Sequence, residues 1–241
     1  MQKEISVVLP AYNEEENIEK QISDVHNYLK KKFSSYEIII VNNGSRDKTK
    51  QIIQKLQKSI KSIKLINLPV NNGYGAGLRA GFKEAKKELV FYTDSDNQFD
   101  IKELDLLLPL IKKYDIVCGY RKKRQDPQMR IFIATVYNIL INLLFHIGVR
   151  DIDCSFKLYK KKVFDSMQLK SNTGLIDAEI LIKAKKAGFT IAPQLPVTHY
   201  PRTLGKTMYE IGPRGNFFAF VRPAVIVEIF SEIKRLWKEL T

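Results

Sequence analysis

The stretch Tyr36–Thr49, YEIIIVNNGSRDKT, decides the fold. Its run from Ile38 to Val41 is apolar at every position, which marks a strand buried on both faces. A polar turn follows at Asn42, Asn43 and Gly44, and TKQIIQKLQKSI (49–60) then carries apolar residues at helical spacing. The same unit precedes it. ISVVLP (5–10) leads into EENIEKQISDVHNYLKKKF (15–33), whose Ile18, Ile22, Val25 and Leu29 share a helical face. It recurs afterwards as IKLINLP (63–69), GYGAGLRAGFKEAKK (73–87) and ELVFYTD (88–94). Strands that alternate with helix-length crossovers predict an α/β fold, a mostly parallel central sheet with helices on both faces. Ligands of such sheets bind beyond the carboxyl ends of the strands. The turns PAYNEEE (10–16), NNGSRDKT (42–49) and TDSDNQ (93–98) all fall there, so one crevice collects them.

A chain of 241 residues can bury one large α/β core, and no repeat, low-complexity tract or linker interrupts the spacing. We expect one domain over 1–215 and an amphipathic helical extension over 216–241. Lys and Arg number 40 against 26 Asp and Glu, a formal charge of +14, which suits nucleic acid, anionic lipid or phosphorylated substrates alike. Cys118 and Cys154 lie in no CxxC or Cys/His cluster, so neither a zinc site nor a disulfide framework is implied, and a reduced cytoplasmic setting fits. MQKE passes directly into ISVVLP, which reads as a first strand and not as a signal peptide.

In a chain this basic, the acidic turn FYTDSDNQFD (91–100) stands out. Asp94, Asp96 and Gln98 alternate, and in an extended segment they share a face. Hard divalent cations such as Mg²⁺ or Mn²⁺ take one or two carboxylates, with water and substrate phosphates completing the shell. We read Asp94 and Asp96 as metal ligands. Asp100, with Glu103 three residues on, fits a capping box and is read as a helix cap.

Eight segments in order, LPAYNEEENI, IIIVNNGSRDKT, NNGYGAGLRAGF, TDSDNQFD, CGYRKKR, VRDIDCSFKLYKK, GLIDAEILIKAKKAGF and HYPRTLGKT, resemble the inverting family 2 glycosyltransferases of GT-A fold, over about residues 4 to 210. The nearest likeness is to the dolichol-phosphate mannosyltransferase and polyprenyl-phosphate glycosyltransferase branch. The resemblance implies a nucleotide-sugar donor, GDP-mannose or a UDP-sugar. Pro10, Ala11, Tyr12 and Glu14 would line the nucleotide pocket, with Asn42 and Asn43 in the second turn and Gly73 where the backbone nears the donor. Asp94, Asp96 and Gln98 would hold the metal. One departure is plain: the second turn usually reads DDGS, and here Asn42 and Asn43 replace both acids. An Asn carbonyl can still accept from a base N–H, but the charge is gone. Base identity and catalytic competence both turn on that change, and a plain turn-forming role for the two asparagines is the alternative.

The resemblance also puts Asp177 and Glu179, in the first turn of a helix, near the sugar and the acceptor; otherwise they are partners of the helix dipole. An alcohol acceptor would need one of them as general base. A phosphate monoester, with a second pKa near ~6, would not. Arg121 in YRKKR (120–124), Arg130, Arg202 and Lys206 are candidates to meet an acceptor phosphate. Lys122 and Lys123 read equally well as a solvated face.

IFIATVYNILINLLFHI (131–147) is apolar enough to raise a membrane span. Arg130, Ala134, Asn138, Asn142 and His146 nevertheless form one thin stripe, and a span would part the motifs on either side of it. We expect an interfacial helix, with a buried core helix as the alternative. AVIVEIFSEIKRLWKEL (224–240) is amphipathic, with apolar Ile229, Phe230, Ile233, Leu236, Trp237 and Leu240. It is read as peripheral attachment on the cytoplasmic face of a membrane or to a membrane-protein partner, or else as packing onto the domain or onto a second copy in a homodimer. A sugar or protein hydroxyl is the alternative acceptor. No nucleic-acid motif accompanies the charge, so nucleic acid is set aside as a partner.

Overall fold

The computed structural model describes residues 4–205, 210, 211, 220, 221 and 223–241. Its first half follows the predicted alternation: β1 (Glu4–Ala11), α1 (Ile18–Lys32), β2 (Ser35–Asn43), α2 (Thr49–Ser59), β3 (Ile63–Leu68), α3 (Tyr74–Glu84) and β4 (Leu89–Thr93). The second half is less regular. Short α4 (Leu104–Leu107) precedes β5 (Ile116–Lys122) and the long α5 (Gln128–Phe145). Then come β6 (Phe156–Lys160), short α6 (Lys162–Asp165), α7 (Ile176–Lys186) and β7 (Leu195–Thr198). Two short strands, β8 (Glu210–Ile211) and β9 (Phe220–Val221), pair antiparallel before α8 (Pro223–Leu240).

The strands join in the order β3-β2-β1-β4-β6-β5-β7. All run parallel except β6, which is antiparallel to both β4 and β5. The carboxyl ends of β1, β2, β4 and β5 therefore share an edge with the amino end of β6. The apolar run of β2 is explained by what covers it. Ile38 and Ile40 join Leu9, Phe91 and the α1 residues Ile18 and Ile22, whereas Ile39 and Val41 join Val8, Tyr92, Leu78 of α3 and Ile180 of α7. Each fully buried Ile is worth about 1.5–3 kcal/mol relative to exposure, and both faces contribute. Asp100 caps as expected, accepting from the Lys102 amide at 3.0 Å. Glu103 does not complete a capping box: its carboxylate instead holds the Thr198 amide and hydroxyl. Both cysteines are free and buried, and burial pushes the Cys118 thiol up to about 12, which keeps it inert.

Helix α5 is turned inside out relative to a soluble helix. Only Asn138 and Ile141 are buried along it, while Phe132, Val136, Ile139 and Leu143 are exposed. Those four lie at i, i+4, i+7 and i+11, one continuous face. The thin polar stripe exists, but it faces the domain. Asn138 Oδ1 accepts from the Ile152 amide at 3.0 Å, and Asn142 bridges the Val149 carbonyl and the Gly148 amide, each at 2.8 Å. The apolar stretch is thus not the buried core helix named as the alternative, and its polar edge turns to the domain and not to water. His146 ends the helix in the left-handed region at φ 52°, with its side chain exposed.

Helix α8 has two roles at once. Ile233, Leu236 and Leu240 are buried in the cluster that holds α7. Glu232 accepts from the Ser171 and Thr173 hydroxyls and the Asn172 amide, fastening the loop before α7. Val227, Phe230 and Trp237 stay exposed, and the Trp237 ring lies 5.7 Å from Phe145 of α5, so the outward faces of the two helices adjoin.

Candidate functional site

The acidic turn leaves β4 at the shared edge. Asp94 is held from two sides, by the Tyr74 hydroxyl at 2.9 Å and the Ser155 hydroxyl at 2.6 Å. Asp96 accepts the Gln98 amide at 3.2 Å. Burial, and then the charge of Asp94, push the Asp96 carboxyl up to about 7, against the pull of Arg202. Two carboxylates so placed repel each other, and a hard divalent cation would relieve that repulsion. Among the described residues no group of three or more His, Cys, Asp or Glu gathers at one point, so the protein offers a carboxylate pair and leaves the other positions to water and phosphate oxygens. The donor set fits Mg²⁺ or Mn²⁺ on those terms. The Gln98 amide nitrogen donates to the Tyr200 carbonyl at 2.9 Å, fastening the 199–205 segment to the turn.

That segment delivers Arg202. Its guanidinium donates to both Glu14 carboxylate oxygens at 2.8 Å and lies 3.5 Å from Asp96. Burial raises the Glu14 pKa although Arg202 and Asn17 oppose it. Glu14 is therefore committed to Arg202 and Asn17. Pro10, next to last in β1, accepts the Ser95 hydroxyl on its carbonyl at 2.8 Å, Ala11 ends the strand and Tyr12 follows at the same edge. Lys206 lies outside the described residues.

Asn42 and Asn43 are both buried and both engaged. Asn42 donates to Asn67 at 2.7 Å, and its carbonyl accepts the Ser45 amide. Asn43 donates to the Gly73 carbonyl at 2.9 Å and to Asn71 at 3.2 Å. Gly73 takes φ 95°, and a Cβ there would overlap the Asn172 carbonyl, so only glycine fits between the second turn and the 171–173 loop. An Asp at 43 would set a carboxylate against two acceptors. We expect Asn43→Asp to destabilise the chain by about 2 kcal/mol and to shift the ranking of nucleotide-sugar donors. Urea unfolding and donor competition check this; an unchanged midpoint together with an unchanged ranking would leave the asparagines as turn formers only.

The reversed strand β6 brings residues that the sequence reading passed over. Tyr92 pairs with Lys157 and Thr93 with Phe156, so Asp153, Ser155 and Lys157 arrive beside the acidic turn. Lys157 is fully buried and donates to Asp177 at 2.5 Å, to the Tyr92 hydroxyl at 3.0 Å and to the Cys154 carbonyl at 2.7 Å. Tyr92 also donates to Asp177. Burial raises the Asp177 pKa, and Lys157 and Tyr92 work against that rise. Burial and the nearby Asp177 charge likewise push Asp153 up to about 7. Glu179 corrects the expectation. Its carboxylate accepts the Lys170 and Ser171 amides at 2.9 and 2.8 Å and Lys183 at 2.6 Å, which ties down the 170–171 loop away from the site. Residues two apart on a helix point in nearly opposite directions, so Asp177 and Glu179 cannot both face one cavity.

A cavity of about 400 Å³ joins these parts. Asp94, Asp96, Asp153 and Asp177 form its acidic side. Its cationic side has Arg121, Arg124 and Arg130. Arg121 is clamped by Asp151, with Nε at 2.9 Å and its terminal nitrogen at 2.6 Å. Burial opposes ionisation of Asp151, yet Arg121 outweighs it and holds the carboxyl down at about 2. Arg124 and Arg130 share Asp126 at 2.9 and 3.2 Å. His199, also in the wall, is pushed down to about 4 by burial and is neutral near pH 7. Phe132, Ile133, Val136 and Leu140 of α5, with Ile229 and Phe230 of α8, make the third side apolar.

Residues 6–167 match a family model described as glycosyl transferase family 2. The chain is 35% identical to a dolichyl-phosphate beta-glucosyltransferase of Trichomonas vaginalis, the match covering 80% of this chain and 64% of that protein. It is 27% identical to an undecaprenyl-phosphate 4-deoxy-4-formamido-L-arabinose transferase of Pseudomonas fluorescens, over 86% of this chain and 60% of the relative. A glycosyltransferase of Haloferax volcanii is 29% identical over 99% of this chain but 38% of its own length. The chain thus spans less than two thirds of each of these relatives. Among solved structures, glucosyl-3-phosphoglycerate synthase from Mycobacterium tuberculosis, crystallised with Mn²⁺, UDP and glucosyl-3-phosphoglycerate, superimposes with a TM-score of 0.65 at 21% identity, covering 83% of this chain and 72% of that one. That likeness speaks for the fold, which is the GT-A fold expected from the sequence.

Proposed function

Because the chain belongs to glycosyl transferase family 2, we propose that it moves a hexose from a nucleoside-diphosphate sugar to a polyprenyl phosphate at a membrane surface, with inversion. One observation carries the reading: a single cavity sets paired carboxylates, an arginine wall and an apolar wall against one another. Each wall suits one part of the reaction. Carboxylates suit the cation of a diphosphate, arginines suit an acceptor phosphate, and the α5 and α8 side chains suit a lipid tail. The names of the Trichomonas and Pseudomonas relatives, dolichyl-phosphate and undecaprenyl-phosphate transferases, support that acceptor class.

In this reading an acceptor phosphate oxygen attacks the anomeric carbon from the face opposite the leaving group. The new C–O bond forms as the bond to the diphosphate breaks, and the electron pair leaves with the diphosphate. A divalent cation held by Asp94 and Asp96, with Gln98 at the rim, would stabilise that developing charge. Tyr74 and Ser155 fix Asp94 in place. Arg202, between Glu14 and Asp96, adds positive charge at the acidic side. Arg121, Arg124 and Arg130 orient the acceptor phosphate. Asp177, clamped by Lys157 and Tyr92, positions the sugar and takes no proton, since an ionised phosphate needs no base. Pro10, Ala11, Tyr12, Glu14, Asn42, Asn43 and Gly73 lie on the side given to the nucleotide.

Peripheral attachment at a cytoplasmic membrane face belongs to the same proposal; free thiols agree with a reducing compartment. The test is a panel of radiolabelled UDP- and GDP-sugars with Mn²⁺ and a short polyprenyl phosphate in vesicles. We expect label in the extracted lipid with inverted anomeric configuration by NMR. Label delivered only to sugar or protein hydroxyls would move the chain to the alternative acceptor class.

A further inference from the structure

Two residues that line this cavity each carry a buried polar atom with no hydrogen-bond partner among the described residues: Oδ1 of Asp153 and the hydroxyl of Tyr137. They come from different elements. Tyr137 reaches inward from α5, and Asp153 lies on the approach to β6. The Asp153 charge is felt at Tyr137, and Asp177 acts on both, so the three groups occupy one neighbourhood. Leaving a buried donor or acceptor unmade is costly, and two in one cavity mark a place built to meet a polar ligand group.

The surroundings narrow the ligand. Asp153 and Asp177 beside the spot disfavour a phosphate or a carboxylate. Lys157, which holds Asp177, and Arg121, whose charge reaches Asp153, disfavour a cation. Neutral hydroxyls remain, since each both donates and accepts, as a phenol and a carboxyl together require. Resting on the donor reading above, we infer that Asp153 and Tyr137 form a hydroxyl-reading subsite for the transferred sugar, setting which hexose is accepted. Because Tyr137 stands on the helix with the exposed apolar face, sugar recognition and the lipid-facing helix share one side chain.

The experiment compares Tyr137→Phe and Asp153→Ala with the wild-type chain in titrations, with Mn²⁺, of UDP-glucose against UDP and of GDP-mannose against GDP. We expect each variant to lose about 10- to 100-fold affinity for the nucleotide sugar while the free nucleotide binds as before. Thermal unfolding should show a Tm unchanged or raised, because each substitution removes a buried polar atom that has no partner. A donor lacking the hydroxyl that is read should bind the wild type weakly and lose nothing further in the variant. Equal losses for sugar nucleotide and free nucleotide, or no loss for either, would overturn the subsite while the nucleotide site stands. A wild-type chain that binds neither nucleotide pair would overturn the donor reading and the subsite with it.

Discussion

Replacing Asp96 with Ala lowers sugar transfer by about a thousandfold or more and abolishes divalent-dependent nucleotide binding, without lowering Tm. The magnitude follows from removing one of two carboxylates that would hold a charge-stabilising cation at a diphosphate leaving group. The stability result follows from the site itself. Burial and the neighbouring Asp94 both work against an ionised Asp96, so its loss relieves strain in the folded chain. Arg202 keeps its bidentate partner, Glu14, and is not stranded by the change. Transfer assays with and without EDTA, alongside calorimetry, check both halves. Full activity in the variant, or in EDTA, would sink the metal assignment.

The double substitution Ile139→Glu with Leu143→Glu is expected to weaken binding to anionic vesicles by about thirty- to several-hundredfold while leaving free-nucleotide affinity unchanged. Neither side chain lines the cavity, and they are 55% and 69% exposed, so neither supports the core. Returning that much apolar surface to water forfeits about 1–2 kcal/mol per residue, and a tenfold change in affinity is about 1.4 kcal/mol. Wild-type binding should fall with salt and yet persist, since basic residues contribute about 1 kcal/mol each near an anionic surface and apolar burial is not screened. Deleting residues 224–241 is a poorer test, because it would also uncover Ile233, Leu236 and Leu240. If the double variant still binds vesicles but sedimentation shows a dimer coming apart, the face belongs to a second copy of the chain.

The β-strand and helix alternation up to Thr93 was legible because short, mostly apolar strands alternate with polar turns and helix-length crossovers. Asp94 and Asp96 were legible for the same reason: charge directly after a buried strand. Legibility ended where the chain reverses. Nothing in SFKLY (155–159) announces an antiparallel strand, so the edge that receives Asp153, Ser155 and Lys157 could not be foreseen. A clue was present nonetheless, since those three positions alternate and form a polar row entering an apolar strand.

Two other misreadings have simple geometric causes. Asp177 and Glu179 were treated as a pair, but helical periodicity separates them, and only Asp177 meets the cavity. The stripe of Asn138 and Asn142 was recognised, yet its direction was not, because a periodic pattern reports which residues share a face and not what that face touches.

The strand order has a bearing on how the site comes into being. In space β3, β2, β1 and β4 are neighbours, and all four come from residues 4–93: β2 joins β3 across 25 residues (Ile38 to Ile63), β1 joins β2 across 31 (Glu4 to Ser35) and β1 joins β4 across 84 (Ile5 to Leu89). Asp94 finishes that block but gains its Ser155 partner across 61 residues of chain. Glu14 meets Arg202 across 188. Closure entropy grows with separation, and contacts of long range form late and slowly. The first four strands can therefore pair before β6 has been made, but the acidic turn lacks its Ser155 partner until β6 is inserted next to β4. Completion of the candidate site therefore waits on chain made after the first four strands, so a chain interrupted there lacks both Ser155 and Arg202, the partners of Asp94 and Glu14.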